Sequence, residues 1–205
     1  GRAVVVDAGP EPAAVDGCLR RLGIREVPLF VVSHYHADHV GGVAGVFNGR
    51  RVAAVLTPSR HEPEGGRDLV EAAAGSGRAR LLTASVGWAY RVGAAELVVL
   101  GPPYPLRGTR SDPNNNSLVL RVTVAGVRIL LPGDAESEEQ RALLDRLSPD
   151  ALRAEVLKVA HHGSAYQDPA FFEAVRPAVA LVPVGTGNTY GHPHPALLVR
   201  LARDG

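Results

Sequence analysis

The sequence predicts an α/β domain in which two β-sheets pack together with helices on their outer faces. Three observations carry this. Strand-like and helix-like segments alternate at both ends of the chain. The middle is rich in strands. No internal repeat or linker interrupts the pattern.

Residues 3–6 read as a buried strand, and residues 11–22 as a helix with Gly23 just past its end. A second strand, 29–33, runs into a cluster of histidines. Residues 42–47 form a short helix, 52–57 a strand and 67–74 a helix. Strands are then expected at 80–83, 89–92, 96–100, 117–124 and 128–131, with Gly126 turning a hairpin between the last two. Residues 135–147 give the clearest helix: Ala142, Leu143, Leu144 and Leu147 share a face, and acids lie in its first turns, where the macrodipole favours them. Strands at 155–160 and 178–184 alternate with helices at 169–175 and 195–202. The Pro/Gly/Asn-rich loop 101–116 has a length that is usually functional.

Composition bounds the function. The 205 residues, 45% of them apolar, suffice for one domain spanning 1–205 with a sizeable core. The net charge of +1 is not that of a strongly basic nucleic-acid module, so any polyanionic substrate needs a local patch or metal ions. Cys18 stands alone, which excludes a disulfide framework and a thiolate zinc site. No apolar run approaches the roughly 18 residues of a membrane span, and no signal peptide stands at residue 1. With no Met at all, the chain reads as a soluble fragment of a longer protein.

The chemistry concentrates in Ser33-His34-Tyr35-His36-Ala37-Asp38-His39-Val40-Gly41-Gly42. Four metal-capable side chains fall within six residues, directly after a strand. Eight histidines in the whole chain make three in six an improbable accident. Imidazole with carboxylate suits zinc, manganese or iron. Four such ligands crowd a single ion that must keep an open position. Two ions are easier, with His34 and His36 on one and Asp38 and His39 on the other. Gly41 and Gly42 are expected to let the backbone turn tightly behind them. Further along, Pro132-Gly133-Asp134 follows a strand and precedes a helix, so Asp134 can bridge cations, cap the helix, or both. His161 and His162 end another strand, where adjacent side chains point to different sides.

The His-x-His-x-Asp-His segment after a strand resembles the signature of the metallo-β-lactamase superfamily. That resemblance implies a four-layer αβ/βα sandwich, here lacking some terminal strands, with a site for two divalent ions (Zn or Mn) at the edge between its sheets. It makes Asp134 the bridging ligand and assigns one or both of His161 and His162 to the metal shell. Asp7, after the first strand, matches the family's buried acid that orients a ligand. The ordered set of Asn115–Leu120, Leu-Pro-Gly-Asp134, Leu-Lys-Val before His161-His162-Gly163-Ser164, and Asn188-Thr-Tyr-Gly-His192-Pro resembles more narrowly the extracytoplasmic hydrolase domain of ComEC-type DNA-uptake proteins. Two departures stand out: Asn115, Asn116 and Ser117 replace the usual third-motif histidine, and Tyr35 stands where the group often has proline.

The resemblance implies hydrolysis of DNA phosphodiesters, with a single strand as the substrate during bacterial DNA uptake. Asp38 would serve the catalytic centre, and His162 or His192 would protonate the leaving alkoxide. Asn116, Ser117 and Ser164 are the expected phosphate contacts; Arg107 and Arg110 in the long loop could grip the backbone, but a solvated surface is the stronger reading for both. The other partners are the membrane-channel and accessory domains of a parent in the bacterial cell membrane, this domain on the outer face. No small organic cofactor is expected. Another metallohydrolase, such as a phosphorylcholine-esterase-like enzyme or a lactonase, and a non-catalytic DNA-guiding domain are the competing readings.

Overall fold

The computed structural model describes residues 1–204, and the chain divides into two compact units, Gly1–Ser85 and Val86–Gly205.

The first unit runs β1 (Val5–Val6), α1 (Pro12–Arg21), β2 (Glu26–Val27), β3 (Phe30–Val31), α2 (Ala37–Val40), α3 (Val43–Phe47), β4 (Arg51–Val52), β5 (Ala54–Thr57), α4 (Glu64–Gly77) and β6 (Arg80–Thr83). Its main sheet has the order β1-β3-β5-β6, parallel throughout. Parallel neighbours need crossovers, and the helices supply them. Strand β6 follows α4 into this sheet, so the 80–83 strand belongs with the parallel set. Phe30, Val32, Val40, Val46, Val55 and Val70 are fully buried and form its core. In a separate parallel pair, β2 with β4, Val52 belongs to the strand expected at 52–57, which the structure divides into β4 and β5, whereas β2 has no counterpart in the sequence pattern; two residues are too few to show a period.

The second unit runs β7 (Ala89–Val92), β8 (Ala95–Gly101), β9 (Val119–Val124), β10 (Val127–Leu131), α5 (Ser137–Arg146), α6 (Pro149–Leu152), β11 (Val156–Lys158), α7 (Pro169–Val175), β12 (Val179–Leu181) and α8 (Pro195–Asp204). Its sheet has the order β12-β11-β10-β9-β8-β7. Strands β7 to β10 form an antiparallel meander, and β10, β11 and β12 are parallel. The turn between β9 and β10 is the expected two-residue hairpin, with Ala125 and Gly126 both at positive φ (50° and 81°). Leu130, Leu143, Leu152, Leu157, Phe171 and Val175 fill the core. Trp88 and Tyr90 stack along β7, 5.8 Å between ring centroids, as hairpin packing.

Among the described residues no helix is long and apolar enough to cross a membrane.

Candidate metal centre

Strand topology assembles one group of metal-capable side chains in each unit. In the first unit, β1 and β3 are parallel neighbours, so their chains leave the same sheet edge. Asp7 follows β1, and Ser33 and His34 follow β3. Ligands gather at the carboxyl ends of such strands because the turns there project inward.

Asp7 organises this group. Its Oδ1 accepts from the Ser33 backbone N–H at 2.7 Å, and its Oδ2 from the Ser33 hydroxyl at 2.8 Å. The same Oδ2 lies 2.8 Å from His39 Nδ1. Burial works against ionising Asp7, but His39, the Ser33 amide and His34 outweigh it and hold the carboxyl below its ordinary pKa. Asp7 sits at φ 57°, a left-handed conformation that Asp tolerates better than most residues. Since the Ser33 hydroxyl donates to Asp7, it accepts from His34 Nδ1, 3.2 Å away. These contacts assign the proton to Nδ1 in both His34 and His39 and the basic lone pair to Nε2.

The donor set fits a cation. His34 Nε2 and His36 Nδ1 approach to 3.1 Å. Two imidazole nitrogens on one tetrahedral zinc stand about 3.3 Å apart, given bonds of 2.0–2.1 Å. His39 Nε2 lies 3.9 Å from Asp38 Oδ2. His34 and His39 are buried, whereas the Asp38 side chain is 53% exposed and open to an incoming group. Ala37–Val40 is a turn of helix, and it brings the His39 ring back to that of His34, with 4.1 Å between their centroids. Gly41 and Gly42 are also not special turn formers, since both have ordinary right-handed helical φ. They are glycine for room. A Cβ on Gly41 would stand 2.4 Å from Pro10 O, and one on Gly42 2.3 Å from Ala8 O.

In the second unit, β10 and β11 are parallel neighbours, so Asp134 and the His161–His162 pair leave one sheet edge together. Asp134 is 2% exposed. Its Oδ1 is 3.5 Å from Lys158 Nζ, and its Oδ2 is 3.6 Å from His162 Nε2 and 3.9 Å from His161 Nε2. The helix-capping reading of Asp134 fails: Glu136 is the N-cap of α5, with no side-chain cap bond. The two histidines are not at a strand end either. Strand β11 stops at Lys158, and they form a tight 3-10 turn at positive φ (46° and 52°). Two left-handed residues in succession turn both Nε2 atoms towards one carboxylate, where an extended strand would send them to opposite sides. His162 Nδ1 donates to Pro183 O at 2.8 Å, and His161 Nδ1 lies 3.0 Å from Glu136 Oε1. His192, in the loop before α8, meets His161 edge-on with ring centroids 5.1 Å apart.

The expected phosphate contacts sit behind the site. Asn116 is buried, and its amide bonds Leu106 and Asp112, holding the long loop. The Ser117 hydroxyl accepts from the Asp134 backbone N–H at 3.1 Å. Ser164 is fully buried and receives Tyr166 N and Gln167 Nε2. Arg110 lies over the Tyr166 ring, 3.3 Å from its centroid.

Glu136 and Asn114 escape a sequence reading. Glu136 is 2% exposed and accepts from both His161 and the Asn114 amide. In the sequence it looks like one more acid at a helix start. Nothing local distinguishes a buried acid there from a solvated one.

The family model described as Metallo-beta-lactamase superfamily matches residues 1–185. ComE operon protein 3 of Bacillus subtilis is 28% identical over 182 residues, covering 88% of this chain and 23% of the relative. Competence protein ComA of Neisseria gonorrhoeae is 28% identical over 211 residues, covering 100% of this chain and 27% of the relative. The chain thus spans about a quarter of the length of these relatives. Among solved structures, metallo-β-lactamase SMB-1 bound to 2-mercaptoethanesulfonate superposes with a TM-score of 0.51 at 16% identity, covering 82% of this chain and 79% of that one. At that identity the likeness shows the fold alone. The competence relatives agree with the narrower resemblance carried by the ordered motifs.

Proposed function

This chain belongs to the metallo-β-lactamase superfamily, and on that premise we propose that it is a dinuclear metal-dependent hydrolase acting on DNA phosphodiesters. One observation carries the reading. His34, His39 and His162 each have Nδ1 engaged by a neighbouring oxygen, which commits Nε2 as the ligand atom. This is how metal-binding imidazoles are held.

His34 and His36 would hold one ion, and Asp38 and His39 the other. In the second unit, Asp134 and His162 are the residues that would hold metal, with His161 beside them. When bound, two divalent cations (zinc or manganese) supply Lewis-acid charge stabilisation and a water acidic enough to react at neutral pH. The chain's own groups do the rest. Asp7 and Ser33 fix the rings of His34 and His39. Glu136 fixes His161. His192, in a partly exposed loop, delivers a proton to the leaving alkoxide.

DNA enters this reading through the competence proteins that the chain resembles. The proposal extends to one DNA strand as substrate, and to a single domain 1–205 within a longer membrane-bound protein, on its outer face.

The test is metal content and metal-dependent cleavage of linear single- and double-stranded DNA by this 205-residue chain, beside an Asp38→Ala/His39→Ala control. Cleavage that needs metal and vanishes in the control is expected. Bound metal without cleavage of either DNA would overturn the nuclease assignment and leave a hydrolase of another ester.

A further inference from the structure

A cleft of about 670 Å³ opens in the second unit, lined by Arg153, Arg176, Arg200 and Arg203. One acid, Glu173, shares the lining, so these walls carry +3 (four Arg minus one Glu) in a chain whose net charge is +1. The architecture gathers the arginines. Arg153 directly follows α6, at the start of the segment leading into β11. Arg176 is the left-handed C-cap of α7, just before β12. Arg200 and Arg203 are three apart on α8, hence on one helical face. Phe172 and Leu201 also line the cleft and belong to the core cluster beneath.

Three arginines elsewhere in this unit are paired with acids: Arg91 with Glu96, Arg128 with Glu155 and Arg141 with Asp168. Arg153 and Arg176, both exposed, take part in none of the described ion pairs. Arg200 lies 3.8 Å from Glu173. Planar guanidinium groups match phosphate oxygens two at a time. A concave wall with apolar patches between the charges suits a sugar–phosphate chain, whereas a lipid surface is flat and reaches only protruding side chains.

We propose that this cleft is a second binding site for a nucleic-acid strand, taking its backbone phosphates apart from the histidine-bearing edge. Arg153 and Arg176 precede β11 and β12, while His161 and His162 follow β11. Eight residues separate Arg153 from His161, at most roughly 26 Å of extended chain. Arg153 and the histidines lie at opposite ends of β11, so the cleft would hold a strand apart from the histidine-bearing edge and give a nearly neutral chain a local basic patch.

The inference rests on DNA being the substrate, so its test is made with cleavage switched off. In excess chelator, binding of a labelled single-stranded DNA of mixed sequence to the 205-residue chain is measured against salt concentration. Arg153→Gln/Arg176→Gln is compared with Arg21→Gln/Arg80→Gln, a pair of exposed charges in the first unit. Glutamine is chosen because it keeps the Cβ–Cγ–Cδ stem and a polar end while removing the charge. The cleft pair should weaken binding on the order of tenfold and lower the magnitude of the salt slope by about 1.4, at about 0.7 per phosphate contact. The control pair should do neither. Equal effects in both pairs, an unchanged cleft variant, or no DNA binding by the parent chain would overturn the proposal. So would cleft-dependent binding to phosphatidylserine vesicles in place of DNA. Failure of the nuclease reading shows up instead as absent turnover with metal, and leaves the binding result standing.

Discussion

His39 and Asp7, 32 residues apart, are joined by a 2.8 Å hydrogen bond between Nδ1 and Oδ2. The backbone repeats the link, since Ala8 N–H donates to His39 O at 2.7 Å. The acid after the first strand is thereby tied to the histidine cluster by main chain and side chain at once.

Asp7→Asn isolates the charge, because Asn tolerates the same left-handed backbone. Outer partners of metal ligands typically contribute 10–100-fold in affinity. We therefore predict about a 10–100-fold loss of metal affinity, read by competition with a chromogenic chelator, while the far-UV circular dichroism stays unchanged. Wild-type affinity in the variant would remove Asp7 from the metal site.

Gly42→Ala should destabilise the chain by about 1–3 kcal/mol or more, the usual cost of overpacking. The added methyl would stand 2.3 Å from Ala8 O, a backbone atom that cannot swing aside. Urea unfolding measures the loss. Gly65→Ala, where no atom lies within 4 Å of the added Cβ, is the matched control.

Glu136 should show a split between two substitutions. Glu136→Leu strands the buried Asn114 amide, at about 1–3 kcal/mol for a buried group left unpaired, and takes the acceptor from the half-buried His161 ring. Glu136→Gln keeps an acceptor oxygen and should recover most of that stability. It should also restore the His161 ring resonances in a proton–nitrogen correlation spectrum. If both variants are equally damaged, the negative charge of Glu136, and not its hydrogen bonds, is what matters.

Glu139 is fully buried in α5, and neither carboxylate oxygen meets hydrogen-bond geometry among the described residues. Burial pushes its pKa well above the ordinary 4.5, with the nearby Ser117 backbone only partly opposing. A raised carboxyl contributes stability below the unfolded value, lost as pH rises through the folded one. Glu139→Gln should therefore be more stable than the parent at neutral pH and not below pH 4.5, as thermal melts across pH would show.

Glu155 has the opposite sign. Its bonds to the Arg128 guanidinium and backbone lower its pKa to about 2. The contribution of a depressed carboxyl is present above 4.5 and disappears as pH falls towards about 2. Glu155→Gln should lower stability at neutral pH and flatten the acid limb in that window, so that the two curves converge as pH falls towards about 2. An acid limb identical to the parent's would show that the pair contributes nothing measurable.

The sequence by itself determined the element types, the family and the metal-capable residues. Apolar periodicity and turn residues act locally, and His34, His36, Asp38 and His39 lie within one short segment. Tertiary structure decided what those residues face. That β1 pairs with β3, and β10 with β11, is a long-range choice, and it alone sets Asp7 against His39 and Asp134 against His161 and His162. It also decided that Glu136 and Glu139 are buried acids while Asn116, Ser117 and Ser164 hold loops. Burial depends on what packs above a residue, which no local pattern records. The cleft arginines make the same point: 153, 176, 200 and 203 look like scattered surface charges until the ends of α6 and α7 bring them to one wall with α8.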